Sequence, residues 1–396
     1  KFGADAVYAG VPIFSLRARE NEFNFEDLTN AYKLARAENK KIYLTANIFA
    51  HNLKIKAFTE HLDKWACLSP DALIMSDPGL ISIVKERHPE IPIHLSVQSN
   101  CMNWRAVKFW KEMGVSRIIL SRELRLVEIK EIRERVPDIE LEAFVHGSIC
   151  IAYSGRCLLS HYMSYRDANQ GVCDNSCRYP FRLYKNSEAV SDEFFLQDLR
   201  DPKEMYPIDE DEHGTYIMNS KDLCLIEHLK EILDVGICSF KVEGRTKSEY
   251  YVAMISRLYR TAIDQLEEGQ TFDPALLDEL QKLSNRGYHK GFMLGKPTHE
   301  AQNYEASPRA PQSLFAGIVR KSSLEGLVSF EIKNKVQVGD EVEMISPQGS
   351  QISRVNKIIY DKRDTTVVHP GMGKALVEFS ERPKDFSLIL MKKKSC

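Results

Sequence analysis

The chain has 396 residues, 43% of them apolar, and a formal charge of -2 at pH 7. This length suits one large barrel with an appendage and excludes a single small domain. No apolar run is long enough to span a membrane, the near-neutral charge excludes a uniformly basic coat for nucleic acid, and nine unevenly spread cysteines do not read as a secreted disulfide framework, so a cytoplasmic, reducing setting is expected.

Short β-branched apolar runs alternate with longer segments of helical period. The predicted strands are Asp5–Gly10, Lys41–Phe49, Asp71–Asp77, Ile91–Gln98, Arg117–Leu124, Ile139–Gly147 and Ser239–Arg245. Helices predicted between them include 25–40 and 103–115. In the second, Trp104, Val107, Phe109, Trp110 and Met113 are expected to share one face. Such alternation implies parallel strands joined by crossover helices. The chain opens at Lys1 on what reads as a helix end, so a segment ahead of it would supply an eighth strand and close a (β/α)8 TIM-like barrel. An open doubly wound sheet is disfavoured, because no Gly-rich phosphate turn follows the first strand.

The rhythm breaks at about 148–237. This insertion holds Cys150, Cys157, Cys173 and Cys177, the acidic stretch Asp209–His213, and a predicted helix over 219–233 with Asn219 or Ser220 as N-cap. After a barrel strand, such an insertion lies on the C-terminal face, where chemistry occurs. Two more helices, 248–269 and 273–283, and a Gly- and Lys-rich loop at 284–297 complete a barrel domain over 1–310. From 311 to 396 the texture becomes short strands and turns, which predicts a small antiparallel β-barrel. Its VQVGDEVEM stretch resembles the β domains of translation factors. Its many cations either hold an RNA backbone or form an ordinary solvated surface.

Four converging thiolates are soft ligands that suit zinc or an iron–sulfur cluster. Neither pair has the Cys-x-x-Cys spacing of a zinc knuckle, and Gly147, Ser148, Ser154, Gly155, Gly171 and Ser176 nearby would allow close backbone approach, which favours iron–sulfur. Cys67, Cys101, Cys224, Cys238 and Cys396 read as packing residues, with Cys224, inside the predicted helix, and Cys238 as reserve ligands. Polar side chains gather where the strands end: Tyr8, Arg17, Arg19, Asn47, Asp77, Gln98, Asn100, Arg122, Glu123, Glu142, His146, Lys241, Glu243 and Arg245. Together they predict a cationic barrel mouth for a small anion. Glu142, His146, Lys241 and Glu243 are candidate catalytic groups; Arg17, Arg19, Asn47, Gln98, Arg122, Arg156 and Arg245 are candidate substrate contacts.

The stretch EAFVHGSICIAYSGRCLLS, with GADAVYAG, RDANQGVC, FKVEGR and RGYHKGF, resembles the collagenase-like peptidase family U32 over most of the chain. The family was named for peptidase activity, but the resemblance also extends to members that hydroxylate without oxygen gas. That branch implies a [4Fe–4S] cluster on Cys150, Cys157, Cys173 and Cys177, with prephenate as co-substrate. The Cys173-x3-Cys177 pair followed by Arg178 resembles most the members acting at C5 of the tRNA wobble uridine. The implied partners are tRNA, a small dicarboxylate and a second protein of the same family. Three alternatives stand: a peptidase, a ribosomal RNA hydroxylation protein, and a zinc-bound RNA-binding module without catalysis. The chain shows no nucleophile elbow and no HExxH, which weighs against a peptidase.

Overall fold

A computed structural model describes residues 1–16, 23–150, 152–170, 172–178, 181–185, 194–198, 205–208, 210–211, 214–215, 220–245, 247–295, 301, 313–322 and 326–392. All seven predicted strands form: β1 (Ala6–Gly10), β2 (Lys41–Ala46), β3 (Ala72–Met75), β4 (Ile93–Leu95), β5 (Arg117–Ile119), β6 (Glu140–Gly147) and, much later, β13 (Ser239–Val242). Each is parallel to its neighbour, in the order β1-β2-β3-β4-β5-β6-β13. Helices α1 (Phe25–Ala37), α2 (Asn52–Ala66), α3 (Pro78–Arg87), α4 (Trp104–Glu112) and α5 (Leu126–Arg135) make the crossovers. Their starts follow local chemistry. Asn24 and Asp27 form a capping box on α1, and Asp77 accepts from Leu80 N ahead of Pro78. Strand β3 is buried at every position, as expected for a parallel sheet covered on both faces.

No ladder joins β1 to β13 among the described residues. The two edges nevertheless approach: Lys241 Nζ lies 4.4 Å from the Tyr8 ring, and Arg245 donates to Ser15 Oγ at 2.8 Å. The strand order is therefore that of the expected barrel with its hydrogen-bonded closure absent from the described residues.

The insertion contains α6 (Leu159–Ser164), a three-stranded antiparallel sheet of β7 (Phe181–Lys185), β8 (Phe194–Asp198) and β9 (Met205–Ile208), and the short pair β10 (Glu210–Asp211) and β11 (Gly214–Thr215). Of the acidic stretch, residues 209, 212 and 213 lie outside the described residues. The single helix predicted over 219–233 does not form. Instead β12 (Asp222–Cys224) pairs antiparallel with the end of β6 and parallel with β14 (Tyr288–His289). A 3-10 turn then leads into α7 (Leu229–Asp234). Leu223, Leu225, Ile226, Leu229 and Ile232 are all buried, so apolar spacing alone mimicked a helix. Cys224 is thus a strand residue, Ser220 is not a cap, and Asn219 lies outside the described residues. The shared face expected on α4 also fails. Val107 is buried, but Phe109 and Met113 are 53% and 49% exposed.

The chain divides into two compact units, Asp5–Arg245 with Arg286–Pro308, and Lys1–Ala4 with Thr246–Asn285 and Arg309–Cys396. The second unit contains α8 (Glu249–Glu267), capped by Ser248, and α9 (Ala275–Gln281). It also holds β15 (Ser313–Ser322), β16 (Leu327–Ile332), β17 (Val336–Gln337), β18 (Glu341–Ser346), β19 (Gly349–Tyr360), β20 (Arg363–Thr365), β21 (Val367–Val368), β22 (Lys374–Phe379) and β23 (Leu388–Lys392). Strands β18-β23-β15-β16-β22-β19 pair antiparallel and close back on β18, which forms the expected antiparallel barrel with six strands. Some of its described cations pair with acids. Arg320 and Lys333 both bridge Glu249 and Glu331, and Lys357 bridges Asp364.

Candidate functional site

The C-terminal ends of the parallel strands surround a solvent-open pocket of about 730 Å³. Every strand of the parallel run contributes. Tyr8 comes from β1, Thr45 and Asn47 from β2 and its exit, and Ile74 from β3. Ser96 and Gln98 follow β4, Ile119 and Arg122 come from β5 and its exit, Phe144, Ser148 and Cys150 from β6 and its exit, and Lys241, Glu243 and Arg245 from β13 and its exit. The sequence-predicted Asn47, Gln98, Arg122, Lys241, Glu243 and Arg245 are therefore brought together. Arg156 is exposed, donates to the Gly155 carbonyl and does not line the pocket. Arg17 and Arg19 lie outside the described residues.

Beneath the pocket lies an ionic layer. Glu142, 2% exposed, accepts from Lys241 Nζ at 2.7 Å, Arg117 at 3.0 Å and Ser239 Oγ at 2.8 Å. Burial works to raise its pKa, but the Lys241 charge and hydrogen bond, with Arg117, hold it down at about 2. A carboxylate so held cannot deliver a proton near neutral pH, and Glu142 does not line the pocket. It is the counter-ion that positions Lys241. Burial, followed by the Arg117 charge, depresses His94 to about 3, so that imidazole is neutral. His146 is 1% exposed, sits against the Tyr288 ring and likewise does not line the pocket. Residue reading missed Arg117, His94, Thr45 and Ser96. The available signal was a polar or charged type inside an otherwise buried strand run.

On the pocket wall Arg122 bridges Glu243 at 2.8 Å and stacks 3.8 Å over Phe144. Glu243 reaches this position because Gly147, at φ +119, has no side chain. A Cβ there would stand 2.7 Å from that of Glu243. Among the described residues the pocket thus carries three cations, Arg122, Lys241 and Arg245, against one lining carboxylate, Glu243. That balance suits an anionic small molecule.

The cysteine loop is fastened to the same rim. Glu123 accepts from Ser154 N at 2.9 Å and Ser154 Oγ at 3.2 Å. Gly155, at φ +71, packs so closely on the Gln98 carbonyl that a Cβ would lie 2.0 Å from that oxygen. Cys150 lines the pocket; Cys157 lies in the loop beyond it, and Cys177 in a 3-10 turn. Burial pushes the Cys173 thiol up, the Asn175 N–H at 3.4 Å opposes this, and Cys150, Cys157 and Asp174 push it further. Three thiols therefore lie within electrostatic reach, and one sulfur accepts a backbone N–H as cluster sulfurs do. The donor chemistry fits a soft metal, although among the described residues no three His, Cys, Asp or Glu groups stand close enough to share an ion. Cys101 is buried, Cys67 caps α2, and Cys238 donates to Leu141 O. No helix among the described residues is long and apolar enough to cross a membrane.

Two family models match. Peptidase family U32 covers residues 1–303, and the Peptidase family U32 C-terminal domain covers 311–387. The chain is 44% identical to tRNA hydroxylation protein P of Haemophilus influenzae, over 98% of this chain and 90% of that protein. It is 45% identical to the protein of the same name from Escherichia coli, over 94% and 88%. It is also 28% identical to a protein named Collagenase from Porphyromonas gingivalis, over 97% and 92%. With both matched segments in sequence order and together spanning most of the chain, this protein belongs to peptidase family U32.

Proposed function

We propose that this chain is an RNA-modifying enzyme that hydroxylates C5 of the wobble uridine in tRNA, with prephenate as oxygen donor. Its near full-length relatives named tRNA hydroxylation protein P support the RNA substrate. The observation that carries the reading is the convergence of Arg122, Lys241 and Arg245 on a pocket that Cys150 also lines. Prephenate is a dicarboxylate, and these cations would hold it beside the cysteine loop. Cys150, Cys157, Cys173 and Cys177 would hold a [4Fe–4S] cluster, which would supply redox chemistry there. The chain's own residues bind and orient: Glu142 fixes Lys241, Glu243 and Phe144 fix Arg122, and Ser15 fixes Arg245. A peptidase would need an activated nucleophile, and no histidine lines the pocket among the described residues.

The test is anaerobic purification of the full chain. A brown protein absorbing near ~400 nm, with iron and sulfide, is expected. Single Cys→Ala changes at the four positions should abolish iron binding, while Cys67→Ala and Cys101→Ala should keep it. Expression in a host lacking its own enzyme should restore 5-hydroxyuridine to tRNA, read by nucleoside mass spectrometry. Colourless zinc-loaded protein with no restored nucleoside, or cleavage of casein by the pure chain, would overturn the reading.

A further inference from the structure

The lining of the pocket is divided by strand. Its charged side chains, Arg122, Lys241, Glu243 and Arg245, all come from β13 and from the exits of β5 and β13, the two strands that flank β6. Of its uncharged hydrogen-bonding side chains, Thr45, Asn47, Ser96 and Gln98 come from β2 and β4 and their exits, the two strands that flank β3, while Tyr8 on β1 and Ser148 after β6 stand beside the charged group. Cys150 follows β6, at the centre of the charged arc. A single small dianion needs cations, and it has little use for a second wall of amides and hydroxyls.

The neutral arc is built, and part of it stands ready. Asn47 is committed: its Oδ1 accepts from Leu16 N at 3.1 Å and its Nδ2 donates to Ser96 Oγ at 3.2 Å, which fixes both strand ends. Thr45 is 5% exposed, and its Oγ1 has no hydrogen-bond partner among the described residues. A buried hydroxyl left so costs stability unless a ligand satisfies it. The Gln98 main chain is held, by its own N–H to Ser96 Oγ at 3.4 Å and by the close pack of Gly155 on its carbonyl. Its side-chain amide offers one donor and one acceptor in a plane.

We propose that the pocket has two compartments, and that the Thr45–Gln98 arc receives the uracil ring while the charged arc beside Cys150 holds the anionic co-substrate. The uracil edge presents carbonyl, N–H and carbonyl in turn, which an amide and a hydroxyl can match and a cation cannot. A site that hydrogen-bonds a ring in this way disfavours cytosine, whose N3 accepts where that of uracil donates and whose position 4 donates where that of uracil accepts. Entry of the ring requires a base already out of the stack, as in an anticodon loop.

This assignment rests on the uridine reading above, and the experiment separates the two. The full chain and its Thr45→Val and Gln98→Leu variants are titrated with prephenate alone, and with synthetic anticodon stem–loops carrying uridine or cytidine at the wobble position. The variants should bind prephenate as the wild type does, yet lose about tenfold in affinity for the uridine loop and with it the preference over cytidine. Melting temperatures no lower than wild type, with unchanged iron content, exclude a folding defect. Variants that weaken prephenate while keeping the uridine preference would overturn the compartments and give the neutral arc to the acid. A wild-type chain that binds prephenate but prefers no uridine loop would overturn the substrate reading, and this assignment with it.

Discussion

The C-terminal ring is filled by Phe330, Val342, Met344, Ile358 and Val377, and its buried polar side chains among the described residues are two serines, Ser353 and Ser387. The parallel sheet instead buries Glu142, to which Lys241 and the partly buried Arg117 both donate. Strand patterns differ to match. β16 alternates between partly and fully buried residues, as a barrel wall with one wet face should, while β2 is buried at five consecutive positions. Ion pairs taken out of water are stabilised less than well-packed apolar residues of the same volume. The ring therefore shows what an interior looks like when packing alone decides it. The ionic layer is what supports a charged pocket above it, since Lys241 belongs to both.

The largest test of this contrast is Glu142→Leu. It leaves the buried Lys241 and the partly buried Arg117 without their shared anion and should cost about 3–5 kcal/mol, read as a drop in melting temperature. Wild-type melting would mean that the layer is solvated and the contrast false. The same carboxylate sets an acid limit. Its folded pKa of about 2 lies below the ordinary 4.5, so its contribution is present above pH 4.5 and is lost as pH falls through 2. Glu142→Gln should flatten stability across that window in an acid titration.

Next in size is Gly155→Ala. A left-handed backbone and a Cβ 2.0 Å from the Gln98 carbonyl oppose the side chain, at about 1–3 kcal/mol. Because the strain sits where the cysteine loop meets the pocket rim, the iron expected on the proposed cysteine ligands should fall with stability. Iron retained at wild-type level would detach the loop from the rim. Ile358→Val in the ring should cost only about 0.5–1.5 kcal/mol. It should leave unchanged the thermal shift expected from the proposed co-substrate prephenate, and a changed shift would show that the ring is not merely structural. Smallest in stability is Arg245→Ala, on the pocket wall. Its melting temperature without ligand should stay near wild type while the prephenate-induced shift shrinks. An unaltered shift would remove Arg245 from the ligand contacts.

The sequence by itself determined the seven parallel strands, the antiparallel β texture of the ring and the strand-end residues that meet in the pocket. Each of these rests on local periodicity and on the rule that a strand exit points to one end of a parallel sheet. Asn47, Gln98, Arg122 and Arg245 were legible for that reason. Tertiary structure alone decided the rest. Residues 222–224 became a strand because β6 and β14 offered open partners, and apolar spacing carries no information about a partner elsewhere in the chain. Glu142 was read as a candidate acid or base, and became a fixed counter-ion because Arg117 and Lys241 reach it from 25 and 99 residues away. Thr45 gave no signal, since a hydroxyl in a buried strand is ordinary until its neighbours are seen to leave it unbonded. Local pattern fixes where side chains point, but charge state and hydrogen-bond demand are set by which chains fold up against them.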